Sequence, residues 1–225
     1  MGLAGLLFGG ACGAGEWTAV PRHPTRAGEA GGFEMGRFET TVAEFANYLN
    51  GTGAADFPET AQIRRRAAGG YAAKRGASRQ AVSETTAAEA EAYCAWLSRE
   101  SGQTVRLPTE AEWEAAARGG VDGAPFPWGW GGKAPEMAQF DAPAPAARVG
   151  MFKANGFGLY DAAGNLYEWC APESGMPAGP RVARGGSWAE RDPVRLRVDH
   201  RQEFPADYRG RDVGFRVLRE PLKEQ

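Results

Sequence analysis

The 225-residue sequence predicts a folded chain with little regular secondary structure, helical in its front half and loop-dominated in its back half. Three observations predict it. Glycine occurs 32 times, about twice its usual share, and glycine spread through a folded chain implies many turns. Three front-half segments carry a threonine followed three residues later by glutamate, the mark of a capped helix start. The stretch from Gly120 to Gly150 is rich in Gly, Pro and Ala and reads as one long loop. At 43% hydrophobic and 24% charged, the chain holds apolar material for one substantial core, and its length suits one large domain or two small ones.

Composition excludes several function classes. A net charge of −2 and a pI of about 5.8 argue against a protein built to neutralise phosphates, so no nucleic-acid partner is expected. No apolar run reaches the ~18–20 residues of a membrane helix. Three cysteines and two histidines weigh against a zinc finger, a disulfide scaffold and a Ser-His-Asp enzyme.

Met1 to Cys12 is short, apolar and built of small residues. It reads either as the end of a secretory signal or as low-complexity coil. Gly9-Gly10-Ala11-Cys12 would make Cys12 a lipid-anchor site, although the usual positive n-region is missing. Glu16 to Gly32 reads as an extended lead-in rather than a packed element. The domain division is therefore 1–31 as signal or lipoprotein-like segment and lead-in, 32–219 as one domain, and 220–225 as a tail.

Thr41-Val42-Ala43-Glu44 opens the first helix, with Val42, Phe45 and Leu49 on one side and Asn50-Gly51 at its end. Thr86-Ala87-Ala88-Glu89 opens the second, with Tyr93, Trp96 and Leu97 inward and Gly102 as its stop. Thr109-Glu110-Ala111-Glu112 opens the third, with Trp113, Ala116 and Ala117 inward and Gly119 as its stop. In each, the threonine hydroxyl satisfies an orphan backbone N–H and the glutamate reaches back to the cap. Gly32–Glu39 and Val105–Leu107 are candidate strands. Ala61 to Ser83 carries Arg64, Arg65, Arg66, Lys74, Arg75 and Arg79 and no acid. It reads as a solvated loop or helix face, or as a docking patch for an acidic partner.

In the back half, Phe126-Pro127-Trp128-Gly129-Trp130 is an aromatic anchor for the long loop. Asp161 and Glu168 are hard oxygen donors seven residues apart with glycine between them. Such a turn either folds around one calcium ion or is simply a capped turn.

Several of these segments together resemble one known family. Arg106-Leu107-Pro108-Thr109-Glu110-Ala111-Glu112-Trp113-Glu114, with Ala116-Ala117-Arg118-Gly119-Gly120, is similar to the signature of the formylglycine-generating-enzyme or sulfatase-modifying-factor family. Glu39-Thr40-Thr41-Val42-Ala43-Glu44-Phe45, Ala92-Tyr93-Cys94-Ala95-Trp96-Leu97 and Pro127-Trp128-Gly129 follow in the family's order. Gly158-Leu159-Tyr160-Asp161 through Glu168-Trp169, Arg184-Gly185-Gly186-Ser187-Trp188 and Gly214-Phe215-Arg216 complete the pattern. The resemblance implies one α+β domain of the C-type-lectin-like kind. It also implies calcium held by the Asp161 and Glu168 side chains with the Gly164 and Leu166 carbonyls. The family's second calcium loop would fall on Lys133 to Gly150, which offers mainly Glu136 and Asp141.

One departure matters. Formylglycine-generating enzymes oxidise a substrate cysteine with two copper-binding cysteines placed shortly after G-G-S-[WY]. Here those places fall near Glu190 and Val194, and no cysteine follows Cys170. Soft thiolates are what copper(I) requires, so no copper is expected. Cys94 and Cys170 read as buried structural thiols.

Arg181 to Arg219 holds ten arginines against six acids, Glu190, Asp192, Asp199, Glu203, Asp207 and Asp212. These arginines either pin loops by internal ion pairs or bind a carboxylate or phosphate. His200 is either an acid–base group or a structural hydrogen-bonder.

Two functions are expected to compete. The first is a non-catalytic, exported accessory or binding domain, calcium-stabilised, holding a protein or small ligand in its C-terminal cleft with Trp188, Glu190, Arg195, Arg197, His200 and Arg201. It is expected to be periplasmic or exported, and otherwise cytoplasmic. The second is a cofactor-free enzyme of the oxidase/tautomerase type known among the family's relatives in siderophore maturation. There Glu190 would be the base, with Arg197 and His200 assisting.

Overall fold

A computed structural model describes residues 16–21, 32–143, 147–172 and 179–220. Cys12 and most of the 1–31 and 220–225 segments lie outside the described residues.

The elements run β1 (Trp17–Val20), β2 (Phe33–Gly36), α1 (Val42–Gly51), β3 (Ile63–Arg65), β4 (Tyr71–Ala73), α2 (Ala87–Ser101), β5 (Val105–Arg106), α3 (Glu110–Ala117), α4 (Ala134–Met137), β6 (Tyr167–Trp169), β7 (Arg181–Arg184), β8 (Arg201–Phe204), β9 (Val213–Gly214) and β10 (Leu218–Arg219), with a 3-10 turn at Pro193–Leu196. This is the mixed helix-and-sheet architecture expected. The Thr41, Thr86 and Thr109 side chains each accept from the N3 backbone, and Glu44, Glu89 and Glu112 each return the bond to the cap, so all three boxes close. Gly102 ends α2 at φ 70, a left-handed angle that costs glycine nothing. On α2 the buried side chains are Ala87, Ala90, Tyr93 and Cys94, whereas Trp96 and Leu97 are only half-buried.

Two small sheets frame the core. One is antiparallel in the order β1-β2-β10-β5, pairing Trp17 with Gly36 and Leu218 with both Met35 and Arg106. The lead-in expectation is corrected here: Trp17–Val20 is a packed strand, and Val20 is buried beside Met35 and Leu218. Pairing partners 13 or more positions away made the segment a strand, and local composition carries no trace of them. The other sheet runs β8-β7-β6-β9, antiparallel except for β6 against β9. The main apolar cluster lies between α1, α2 and the second sheet. Phe215 meets Tyr93 edge-on at 5.3 Å and Phe45 at 6.1 Å within it. The basic stretch is neither plain loop nor helix face: β3 and β4 form a separate two-stranded hairpin with Arg64 opposite Ala72. The aromatic anchor stacks Phe126 on Trp128 at 4.8 Å, and Leu196 packs against that pair.

Candidate functional site

Strand β6 carries chemistry on both faces, because successive strand side chains point opposite ways. Glu168 faces inward, 1% exposed. Its Oε2 accepts from Trp113 Nε1 and from Arg216 Nε, both at 2.6 Å, and its Oε1 accepts from Arg216 Nη2 at 2.6 Å. Arg216 is fully buried and also donates to the carbonyls of Gly36, Arg37 and Tyr160. Asp161 Oδ2 accepts the Gly150 N–H at 2.5 Å. Glu39 takes the Asn165 amide on both its oxygens, at 2.9 and 3.1 Å. Three buried carboxylates therefore surround one guanidinium. Burial, together with the neighbouring Asp161 and Glu168 charges, holds Glu39 well above the usual carboxylate range. Burial likewise pushes Asp161 up to about 6.

Of the calcium ligands implied by the resemblance, Glu168 is already engaged in this arrangement. Glu168 spends both oxygens on Arg216 and Trp113, and Arg216 stands as its counter-cation. Among the described residues no group of three or more His, Cys, Asp or Glu side chains is placed to hold a metal ion. As placed, Glu168 offers an ion no uncommitted oxygen, because Arg216 and Trp113 hold both, and a ligand shell needs open oxygens converging on one point. In the second loop Glu136 sits 3.8 Å from Lys133, and Asp141 sits 3.7 Å from Arg191.

The other face of β6 presents Tyr167. Its ring packs into the core and its hydroxyl donates to Glu190 Oε1 at 2.8 Å. Burial and the bond to Glu190 raise the phenol, so Tyr167 stays a donor. Backbone bonds Asp141 N–H to Glu190 O and Ala142 N–H to Trp188 O clamp the 188–190 segment against the long loop. Trp188 Nε1 donates to the Arg211 carbonyl at 3.1 Å. Arg195 Nη1 donates to His200 Nε2 at 3.3 Å and to Gln202 Oε1 at 3.2 Å. Arginine has no acceptor, so that contact requires a neutral imidazole nitrogen. Burial and then the Arg195 charge hold His200 below the usual histidine value, opposed by Glu190.

Glu190, Arg195 and His200 are thus brought within electrostatic reach of one another. Arg197 and Arg201 are not brought to them. Arg197 forks onto Asp199 at 2.7 and 2.8 Å, and Arg201 is shared between Glu110 and Glu203. Internal pairing also takes Arg181 with Glu91, Arg184 with Glu114 and Glu110, Arg209 with Glu89 and Arg219 with Glu34. Most of these partners lie far outside the arginine-rich segment, so counting acids within it could not have revealed them. Two members were missed. Tyr167 was findable from strand alternation around Glu168; Gln202 carries no local signal.

Comparison with known proteins then decides the family. The family model for the sulfatase-modifying factor enzyme 1-like domain matches residues 6–221. The chain belongs to this family. A formylglycine-generating enzyme from Thermomonospora curvata is 36% identical over 168 residues, covering 60% of this chain and 54% of that protein. The inactive C-alpha-formylglycine-generating enzyme 2 of Mus musculus is 40% identical over 146 residues, covering 57% of this chain and 45% of that protein. The chain spans about half the length of these curated relatives. The solved structure of PvdO from Pseudomonas aeruginosa superposes with a TM-score of 0.68 at 28% identity, covering 92% of this chain and 91% of that one. Within the sulfatase-modifying-factor fold, Cys94 and Cys170 sit in two different apolar clusters, and burial raises both thiols. Neither is poised as a thiolate. Among the described residues no helix is long and apolar enough to cross a membrane.

Proposed function

We propose that this sulfatase-modifying-factor domain is a non-catalytic binding module, an accessory domain that holds a small polar ligand or peptide on the surface following Trp188. One observation carries the reading. Among the described residues, eight of the ten arginines in the segment are in ion pairs, while Arg195 makes no carboxylate contact and rests on His200 and Gln202 beside the Tyr167-anchored Glu190. A guanidinium held by neutral partners next to an oriented carboxylate suits a ligand that carries both an anionic group and a hydrogen-bond donor. The Trp188 indole, half-buried, supplies the apolar side. The apolar Met1–Cys12 stretch supports export as part of this reading.

A second reading has its own support. Glu190 accepting from a tyrosine, beside an imidazole kept neutral, is an acid–base arrangement that suits proton transfer without a cofactor.

One experiment separates the two. The purified chain is screened by thermal shift against a panel of zwitterionic metabolites and short peptides, and each hit is analysed by mass spectrometry after incubation. The binding reading expects a hit recovered unchanged, with its thermal shift lost in Arg195→Ala and Trp188→Ala. A hit converted by the wild type and left unconverted by Glu190→Gln overturns that reading in favour of the enzyme.

A further inference from the structure

The hairpin of β3 and β4 forms a sheet of its own, and most of its cations differ from the ion-paired arginines described above. Arg64, Arg66, Arg75 and Arg79 are exposed. Among the described residues none of them lies within ion-pairing distance of a carboxylate, whereas ion pairs hold nearly all the arginines after Arg181. Arg148 joins them. It is exposed, and it lies directly opposite Gln80, whose side chain in turn accepts from Gln62 at the base of the hairpin.

The two other cations of the stretch are used internally. Lys74 donates to the Thr60 carbonyl, and Arg65 donates to the Phe57 carbonyl while lying over the Tyr71 ring. Alternation explains the split. Ile63 and Tyr71 are buried on one side of the hairpin, with the exposed Arg65 lying over the Tyr71 ring, and Arg64 faces the other way opposite the small side chain of Ala72. Glu59 and Glu84 are turned to the backbone instead: Glu59 accepts the Arg65 N–H and Glu84 accepts the Ala61 N–H. Among the described residues, five cations without an ion pair thus lie on or beside the hairpin of a chain whose net charge is −2.

We infer that the exposed cations on and around this hairpin, Arg64, Arg66, Arg75, Arg79 and Arg148, dock an acidic polypeptide segment of a partner protein. Charge complementarity selects an anion. The form of the surface selects among anions. The hairpin tip Ala67-Ala68-Gly69-Gly70 has no apolar wedge to enter a lipid surface. Tyr71 is buried, so no aromatic side chain of the hairpin is open for a base to stack on. Added-strand pairing is blocked as well: the Asn50 side chain occupies both the N–H and C=O of Tyr71, and Glu59 and Thr60 occupy the outer edge of β3. Side-chain contacts from exposed guanidinium forks to carboxylates remain, and Arg is well shaped for them.

Fluorescence anisotropy with a labelled decaglutamate peptide tests this on the full chain, at low and at physiological salt. Saturable, salt-sensitive binding is expected for the wild type. It should be at least about tenfold weaker for the Arg64→Glu, Arg66→Glu, Arg75→Glu triple variant, three exposed ionic contacts being lost. Arg148→Glu, on the neighbouring segment, should weaken it as well and guards against misfolding of the hairpin. Lys133→Glu, whose side chain is 83% exposed on another loop, should leave it unchanged. Absence of peptide binding overturns the inference. So does equal affinity in both hairpin and Arg148 variants, or a Lys133→Glu loss as large as theirs. Tighter binding of single-stranded DNA or of phosphatidylserine vesicles than of the peptide overturns it in favour of those anions.

Discussion

Glu168 and Glu190 answer to the two faces of one strand, and they are built in opposite ways. Glu168 is buried, meets a guanidinium with both oxygens and takes an indole N–H besides. Glu190 is half-buried and is held at one oxygen by the hydroxyl of Tyr167. The first arrangement leaves little capacity for a ligand, and losing one partner strands a charge in the core. The second orients a carboxylate and leaves it an oxygen to use. The contrast separates residues that make the fold from residues available to chemistry: Glu168 lies in a segment that resembles the family, and Glu190 lies where the chain departs from it.

The most severe way to test the contrast is Arg216→Ala. It removes the one cation among Glu39, Asp161 and Glu168, and a loss of about 3–5 kcal/mol is expected, read as a collapse of the urea midpoint or failure to express. A variant that folds with near wild-type stability would mean the buried pair is not what holds the two sheets together.

A pH series is the next largest test. Asp161 is pushed up to about 6 from an ordinary value of 3.8, so the folded state binds its proton more tightly than the unfolded chain does. The resulting stability is present below the unfolded value and is lost as pH rises through about 6. The melting temperature of wild type should therefore carry a falling component between pH 4.5 and 7.5, worth roughly 2 kcal/mol, that Asp161→Asn flattens. An identical pH profile in the variant would remove Asp161 from the account.

Tyr167→Phe is expected to be milder. It keeps the ring in the core and deletes one hydroxyl, costing about 1 kcal/mol of stability. It should lower ligand affinity more than Glu168-side substitutions that still fold, as measured by the thermal shift of a bound hit. The smallest effect is expected from calcium. With Glu168 already held by Arg216, adding calcium or EDTA should leave the melting temperature in place; a calcium-dependent rise of several degrees would show that Asp161 with the Gly164 and Leu166 carbonyls recruits the ion.

Much of the fold was legible because its signals are local. Each capping box joins residues three apart, and all three helices begin where their threonines stand. The family motifs were legible for the same reason: they are contiguous words. What stayed hidden is what depends on distant partners. Trp17–Val20 becomes a strand through pairing with Phe33–Gly36. The hairpin of the basic stretch depends on a register that alanines and arginines do not advertise. The ion pair of Glu168 was hidden because its neighbour in space, Arg216, lies 48 positions away. At the candidate site, Glu190, Arg195 and His200 were named from the sequence, but Arg197 and Arg201 were not separable from them without seeing Asp199 and Glu110 alongside.

The sheet that carries β1 and β10 has a mechanical consequence. Both strands pair antiparallel with β2, so they run the same way on either side of it. Trp17 enters beside Gly36, and Arg219 leaves beside Glu34. Tension applied through these two ends would pull the flanking strands in opposite directions, loading their ladders in shear instead of peeling them bond by bond. Tethered-end force spectroscopy would register that geometry as a high rupture force, with the sheet acting as a clamp when the domain is tugged.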